Sequence, residues 1–442
     1  MDSISKKDPI AAVDRIEKPK SVVDRISYVE ALRVLLSAEA GNPYPDGVRA
    51  ELPAIISHWL QSPQKDALVV GAGAAARWRE ILAAYVRADK AGAWLGTTPK
   101  RRAHIGVDFS DVAFPPSARP AFTFIDLFAG IGGFRIALQS FQGKCVFSSE
   151  WDSHAKQTYL SNYGEVPFGD IREFTGDKIP DAYIEANIPD HDILAGGFPC
   201  QPFSRAGVSA RSSLGQSHGF SCEIQGTLFF DLMRIARVKR PKVLFLENVK
   251  NLARHDGGRT FERIRTTIEH ELGYSFEYGV IDSSPLVPQR RKRCYIVCFR
   301  DKRKFKLPEI AGDPLPLSSI LEVDPPESFT LSDRMWQGHI NRTKRNLDRG
   351  AGFTAFEADL SKPAHTLVQR YYKDGKECLI PQQGKNPRLL TPRECARLQG
   401  YPENFQPHPQ KIQAYRQFGN SIALPVVRRI AEEIVLSLKE KK

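Results

Sequence analysis

From Phe122 onward the chain repeats one pattern: a short apolar run stops at a glycine or an acidic residue and gives way to a helical stretch. FTFIDLFAG (122–130), KCVFSSE (144–150), DILAGG (192–197) and KVLFLENV (242–249) are the apolar runs. FRIALQSF, DSHAKQTYLSNY and GTLFFDLMRIARVK lie between them with helical spacing. FERIRTTIEHEL then leads to two further runs, YSFEYGVID and RCYIVCFR. Such alternation predicts an α/β architecture, a mostly parallel sheet covered on both faces. In such sheets ligands bind beyond the carboxyl ends of the strands, where these runs carry their glycines and carboxylates.

The flanking regions differ in texture. Before residue 118, SYVEALRVLLSAEA, ELPAIISHWLQS and AAARWREILAAYVRADKAGAWLG place apolar residues three and four apart, which predicts amphipathic helices. Trp59, Trp78 and Trp94 in them read as core anchors rather than base-stacking groups. FPPSARPAF (114–122), with three prolines, reads as a linker. Residues 302–388 are rich in Pro, Lys and Arg and show no clear period, so they read as a separate small module. TPRECARLQGYPENF and AYRQFGNSIALPVVRRIAEEIVLSL return to helical texture. The expected division is an N-terminal helical region (1–118), a catalytic core (119–301), the module (302–388) and a segment returning to the core (389–442).

The formal net charge of +12 over 442 residues suits a polyanionic partner. Seven cysteines without a CxxC pair argue against a disulfide framework or a zinc site and favour free thiols in a reducing cytoplasm. The charged start and the lack of a long apolar run argue against export and against a membrane span.

Three stretches carry chemistry. FAGIGGF (128–134) is a poor match to GxGxxG, yet its glycines let a ligand approach the backbone. Glu150-Trp151 and Asp170 follow at later points of the same sheet edge, fit to receive ribose hydroxyls, a purine face and an amino group. These elements fit a nucleoside cofactor without a phosphate cradle. GGFPCQPFSR (196–205) aims Cys200 from a loop stiffened by Pro199 and Pro202. Glu247 ends the next strand, beside the thiol if the two strands are neighbours. Arg291 and Arg293, two apart, point to one face and supply an electropositive field for a thiolate. A papain-like Cys-His nucleophile is the competing reading, without a matching context here.

Taken in order, FAGIGG, EW, PCQPFS, ENV, QRRKR, RLLTPRECARLQGYPENF and YRQFGNSIALP resemble the DNA cytosine-C5 methyltransferases over residues 121–440. SLGQSHGFSCEIQGTLFFD and RYYKDGKECLI are most similar to the Dcm/EcoRII-like branch. The resemblance implies a Rossmann-like S-adenosylmethionine-dependent sheet with 302–388 as target-recognition domain. It implies that Cys200 attacks C6 of a flipped cytosine in duplex DNA, that Glu247 holds N3 and that Arg293, with Arg291 nearby, contacts the base carbonyl. It assigns Phe128, Gly130, Gly132, Glu150, Trp151, Asp170, Ile171, Pro199, Asn420 and Ser421 to the cofactor, and Gln201, Ser204, Arg205, Thr366 and Arg370 to DNA. Residues 201–225 would be the loop that closes over DNA. Many relatives have arginine before GTLFF where this chain has Gln225, so a phosphate contact there is missing or falls to Arg205 or Arg211. A bacterial modification enzyme follows, solitary or paired with a restriction endonuclease, acting as a monomer on a short site such as CCWGG. A tRNA methyltransferase, a DNA-binding regulator with a vestigial core and a dinucleotide oxidoreductase stand as alternatives. The QPFSR context, the intact Cys200, Glu247, Arg293 and Asn420, and the incomplete glycine fingerprint weigh against them in turn.

Overall fold

A computed structural model describes residues 24–62, 68–91, 105–199, 228–350, 357–376 and 378–440. In the first region β1 (Asp24–Ser27) pairs in parallel with β2 (Ile105–Asp108). The central strands are β3 (Phe122–Leu127), β4 (Gly143–Ser149), β5 (Ile193–Gly197), β6 (Val243–Val249), β7 (Glu277–Asp282) and β8 (Lys292–Phe299). They form one sheet in the order β4-β3-β5-β6-β8-β7. β3 to β6 run parallel, and β8 runs against both β6 and β7. That reversal decides the chemistry. The carboxyl ends of the parallel strands share one edge with the amino end of β8, and Val249 stands opposite Arg293.

Strand residues alternate between two apolar clusters, as the two-residue period of a strand requires. Phe124, Ala195 and Phe245 face one side, together with helices Gly133–Gln139, Lys411–Asn420 and Leu424–Lys439. Ile125, Leu194 and Leu244 face the other, together with helix Leu228–Lys239 and the N-terminal helices. Both faces are therefore covered, which is why the parallel strands read as nearly unbroken apolar runs.

The N-terminal helices Tyr28–Glu39, Asp46–Gln61 and Gly71–Ala91 occupy the expected stretches. Trp59 and Trp78 are buried, edge to face at 5.3 Å, as core anchors; Trp94 lies outside the described residues. The region is not wholly helical, since β1 and β2 were too short to show a strand period. The proline-rich 114–122 stretch is held to the core: Phe114 N–H donates to Asn162 C=O, and Gln139 Nε2 donates to Pro115 C=O.

Residues 302–388 hold more regular structure than their composition predicts. Helix Asp333–Asp348 starts at Ser332, whose hydroxyl accepts from Met335 N–H. His339 is its buried residue, so no apolar stripe betrayed the helix in the sequence. β9 (Ile380–Gln382) and β10 (Lys385–Arg388) form an antiparallel hairpin. Leu317, Leu331, Leu367 and Tyr371 join the same apolar cluster as Phe124 and Phe245. At Gly419 helix Lys411–Asn420 meets this segment so closely that an added Cβ would lie 2.2 Å from Val368 C and 2.3 Å from Gln369 N.

Two expectations follow. Gly419→Ala must push the facing backbones away from each other, and should cost about 2–4 kcal/mol in urea denaturation. His191 is buried, and its Nδ1 donates to Pro189 C=O at 2.8 Å. Burial, with help from Lys239, pulls its pKa down to about 4. The unfolded histidine takes a proton near 6.5 that the folded one refuses, so stability falls as pH drops from 6.5 toward 4. His191→Asn should shrink the difference in unfolding free energy between pH 7 and pH 5 by about 2 kcal/mol.

Candidate active site

β5 and β6 are neighbours, and their register sets Gly197 opposite Glu247. A Cβ on Gly197 would stand 3.4 Å from Glu247 Oε2, so the glycine keeps space beside the carboxylate. Asn248 fixes the exit of the chain: its Nδ2 donates to Phe198 C=O at 3.0 Å. Phe198 is buried against Phe229, and Pro199 then emerges into solvent. Cys200, Gln201, Ser204 and Arg205, with Arg211 and Gln225, lie outside the described residues.

From the antiparallel strand, Arg293 Nε reaches Glu247 Oε1 at 3.1 Å. Burial pushes the Glu247 carboxyl above its ordinary range, while Arg293 and then Arg291 oppose the rise. Arg291 takes other partners. It is buried, and its guanidinium donates to the carbonyls of Leu367 at 2.9 Å, Gly419 at 3.0 Å and Ser421. It ties the C-terminal segment and the 366–370 loop to the start of β8. Gln289, two residues earlier, does likewise: its Nε2 donates to Leu398 C=O and its Oε1 accepts from Leu367 N–H. Sequence reasoning quoted QRRKR but gave Gln289 no role; an amide in a run of cations was the signal. Thr366 Oγ1 donates to Arg290 C=O at 2.6 Å, which brings it next to Arg291, and Arg370 is exposed at the start of helix Tyr371–Asp374.

The other half of the edge lies beyond β3. Phe128, Gly130 and Gly132 have φ of 54°, 54° and 79°. Gly132 also packs under Tyr163, whose hydroxyl donates to Ile131 and Gly132 carbonyls; an added Cβ would lie 2.3 Å from the ring. Tyr163 was invisible to motif reasoning because it sits inside an ordinary helix. Gly130 N–H donates to Glu150 Oε2 and Asp152 N–H to Oε1, both at 2.8 Å. Burial raises the Glu150 carboxyl above its ordinary range. Trp151 beside it is 79% exposed. Asp170 pairs with Arg172, and Ile171 is buried. Asn420 is exposed, and Ser421 Oγ lies 2.7 Å from the Tyr401 hydroxyl.

In the sheet the glycine turn after β3 and Glu247 on β6 are two strand spacings apart, roughly 10 Å. One half holds a carboxylate and a cation beside the exit of the PCQ loop. The other offers a glycine turn with open space at Gly130, a bare indole and two carboxylates. An exposed indole beside acidic groups fits a nucleoside-bearing cofactor: a flat ring covers the tryptophan, and hydroxyl and amino donors meet the carboxylates.

Residues 122–436 match the C-5 cytosine-specific DNA methylase family. The chain is 44% identical over 342 residues to the type II methyltransferase M.SsoII of Shigella sonnei, covering 75% of this chain and 85% of that one. It is 38% identical over 402 residues to the DNA-cytosine methyltransferase of Escherichia coli (strain K12), covering 79% and 84%. Among solved structures, an S. pombe Dnmt2 methyltransferase shares the fold at a TM-score of 0.55 and 17% identity, over 72% of this chain and 99% of that one. The family uses S-adenosylmethionine as its methyl donor. On this match the chain belongs to the C-5 cytosine-specific DNA methylase family and is a DNA (cytosine-5-)-methyltransferase.

Proposed function

We propose that this enzyme methylates C5 of a cytosine flipped out of duplex DNA at a short specific site, through a transient bond from Cys200 Sγ to C6. The observation that carries the reading is the Glu247–Arg293 pair, set beside Gly197 where the PCQ loop leaves the sheet. When bound, S-adenosylmethionine supplies an electrophilic methyl group. Cys200 thiolate adds to C6, and the displaced electron pair makes C5 nucleophilic. Glu247 donates a hydrogen bond or proton to N3, so that negative charge does not build up on the ring. Arg293 faces the base carbonyl, where its fixed charge stabilises the reactive state. After C5 gains the methyl group, its proton passes to water, N3 returns any proton to Glu247 and the C6–S bond breaks, returning the thiolate.

Phe128, Gly130, Gly132, Glu150, Trp151, Asp170, Ile171, Pro199, Asn420 and Ser421 form the proposed cofactor wall. Arg291 serves that wall by fixing Ser421, rather than by touching the base. Residues 302–388 are proposed to read the site, with Thr366 and Arg370 near the DNA backbone and Gln201, Ser204 and Arg205 closing over it. RYYKDG and RGAGF favour a CCWGG-like target. The net positive charge supports phosphate binding that weakens as salt rises. The similarity to type II methyltransferases supports a cognate restriction endonuclease as functional partner over a solitary enzyme, and the enzyme is proposed to act as a monomer on DNA.

Bisulfite sequencing of mixed-sequence duplex DNA after incubation with enzyme and S-adenosylmethionine should show protected cytosines within one short motif. Cys200→Ser should abolish the protection. Protection scattered without a motif, or surviving in the serine variant, would refute the proposal. Glu247→Gln should slow single-turnover methylation about 10²-fold or more. The wild-type rate should fall as pH rises through the raised pKa of Glu247, because the proton it donates is then lost. The glutamine variant should lack that limb of the profile.

A further inference from the structure

β4 is an outer strand of the sheet, and an outer strand leaves backbone groups without partners. Here they are met from two sources. Phe168 bridges to Ser149, its N–H donating to Ser148 C=O at 2.9 Å and its C=O accepting from Glu150 N–H at 2.8 Å. Ser148 N–H is taken by His58 Nε2 at 3.1 Å, from the N-terminal helix Asp46–Gln61. The same helix reaches the bridging segment twice more. Ser57 Oγ accepts from Val166 N–H at 2.9 Å, and Glu51 Oε2 accepts from Gly169 N–H at 3.1 Å. Glu51 and His58 are seven apart, so they share one face of the helix.

Gly169, just before Asp170, is therefore held by both of its backbone groups, on the two peptides that flank it. Glu51 holds the Gly169 N–H, and Ser149 Oγ donates to the Gly169 C=O at 2.8 Å. Any Cβ at position 169 would lie 2.7 Å from Glu51 Oε1, so glycine is what admits the carboxylate. Rotating Asp170 away from the edge would break one of these two hydrogen bonds.

We propose that helix Asp46–Gln61 is a working wall of the cofactor site, with Glu51 as a positioning residue that sets Asp170 and Ile171 through the Gly169 amide. The inference rests on the reading that Asp170 and Ile171 face the nucleoside. It gives the N-terminal region a task in cofactor affinity rather than in DNA reading.

Calorimetry with S-adenosylhomocysteine and steady-state kinetics on the full chain test it together. Glu51→Ala should weaken cofactor binding about tenfold, as expected for a lost charge-assisted hydrogen bond. KM for S-adenosylmethionine should rise in step, while kcat and KM for DNA stay within about twofold. Gly169→Ala, which displaces the Glu51 carboxylate, should reproduce the effect. Glu51→Gln keeps an acceptor oxygen and should restore most of the affinity.

Asp170→Ala separates the two readings. If it loses affinity while folded Glu51→Ala and Gly169→Ala bind as wild type, the positioning role falls and the cofactor site stands. If all three bind as wild type, the loop does not hold the nucleoside and both fall. A parallel loss of Tm, kcat and affinity for both substrates would make Glu51 merely structural and would also overturn the proposal. Should Glu51→Ala be recovered unfolded, Gly169→Ala decides.

Discussion

Register between β5 and β6 sets Gly197 against Glu247, and the remaining chemistry depends on that pairing. A shift of one residue would turn Glu247 to the other face of the sheet and bring Leu246 or Asn248 to its place. The register is fixed by burial. Leu194 and Ala195 of β5, and Leu244 and Phe245 of β6, each have a defined side to pack against. β8 then has one alignment that satisfies both its neighbours, and in it Arg293 meets the carboxylate.

Behind the proposed cofactor half lies a group of charges with almost no access to water. Arg135 is 2.7 Å from Glu165, and Glu165 also accepts from Ser148 Oγ at 2.7 Å. Burial alone would raise the Glu165 carboxyl, but Arg135, with the hydrogen bond from Ser148, holds it below its ordinary range. The Arg135 guanidinium also lies over the rings of Tyr159 and Tyr163. Breaking such a pair by removing one partner costs about 3–5 kcal/mol, because the other charge is left buried. Tyr163 carries the glycine turn and Ser148 lies two residues before Glu150, so this network is shared by two elements of the proposed cofactor wall and the N-terminal helix.

Much of this was legible from residues alone. The strands and their edge could be read because parallel strands buried on both faces are apolar throughout. Glu247 and Arg293 could be read because motif residues sit at strand ends. The reversal of β8 could not, since a strand's direction leaves no mark on its own composition. Helix Asp333–Asp348 escaped because His339 is its buried residue. The structural task of Arg291 was hidden as well: its carbonyl partners at Leu367, Gly419 and Ser421 are distant in sequence, and a carbonyl is the same on every residue. Cys200 and its loop remain a sequence-based assignment, and the structure contributes the strand that leads to them.

The partners of Arg291 also bear on the order in which the molecule can be completed. A chain emerging from the ribosome presents the whole sheet before Gly419 and Ser421 have been made. Until they arrive, the guanidinium lacks two of its three carbonyls and the 366–370 loop has no helix to rest against. Nascent chains can thus carry Glu247 and Arg293 in register before the proposed cofactor wall is closed. Competence to methylate would then wait for helices Lys411–Asn420 and Leu424–Lys439 to fold onto the face of the sheet that carries Phe124 and Phe245.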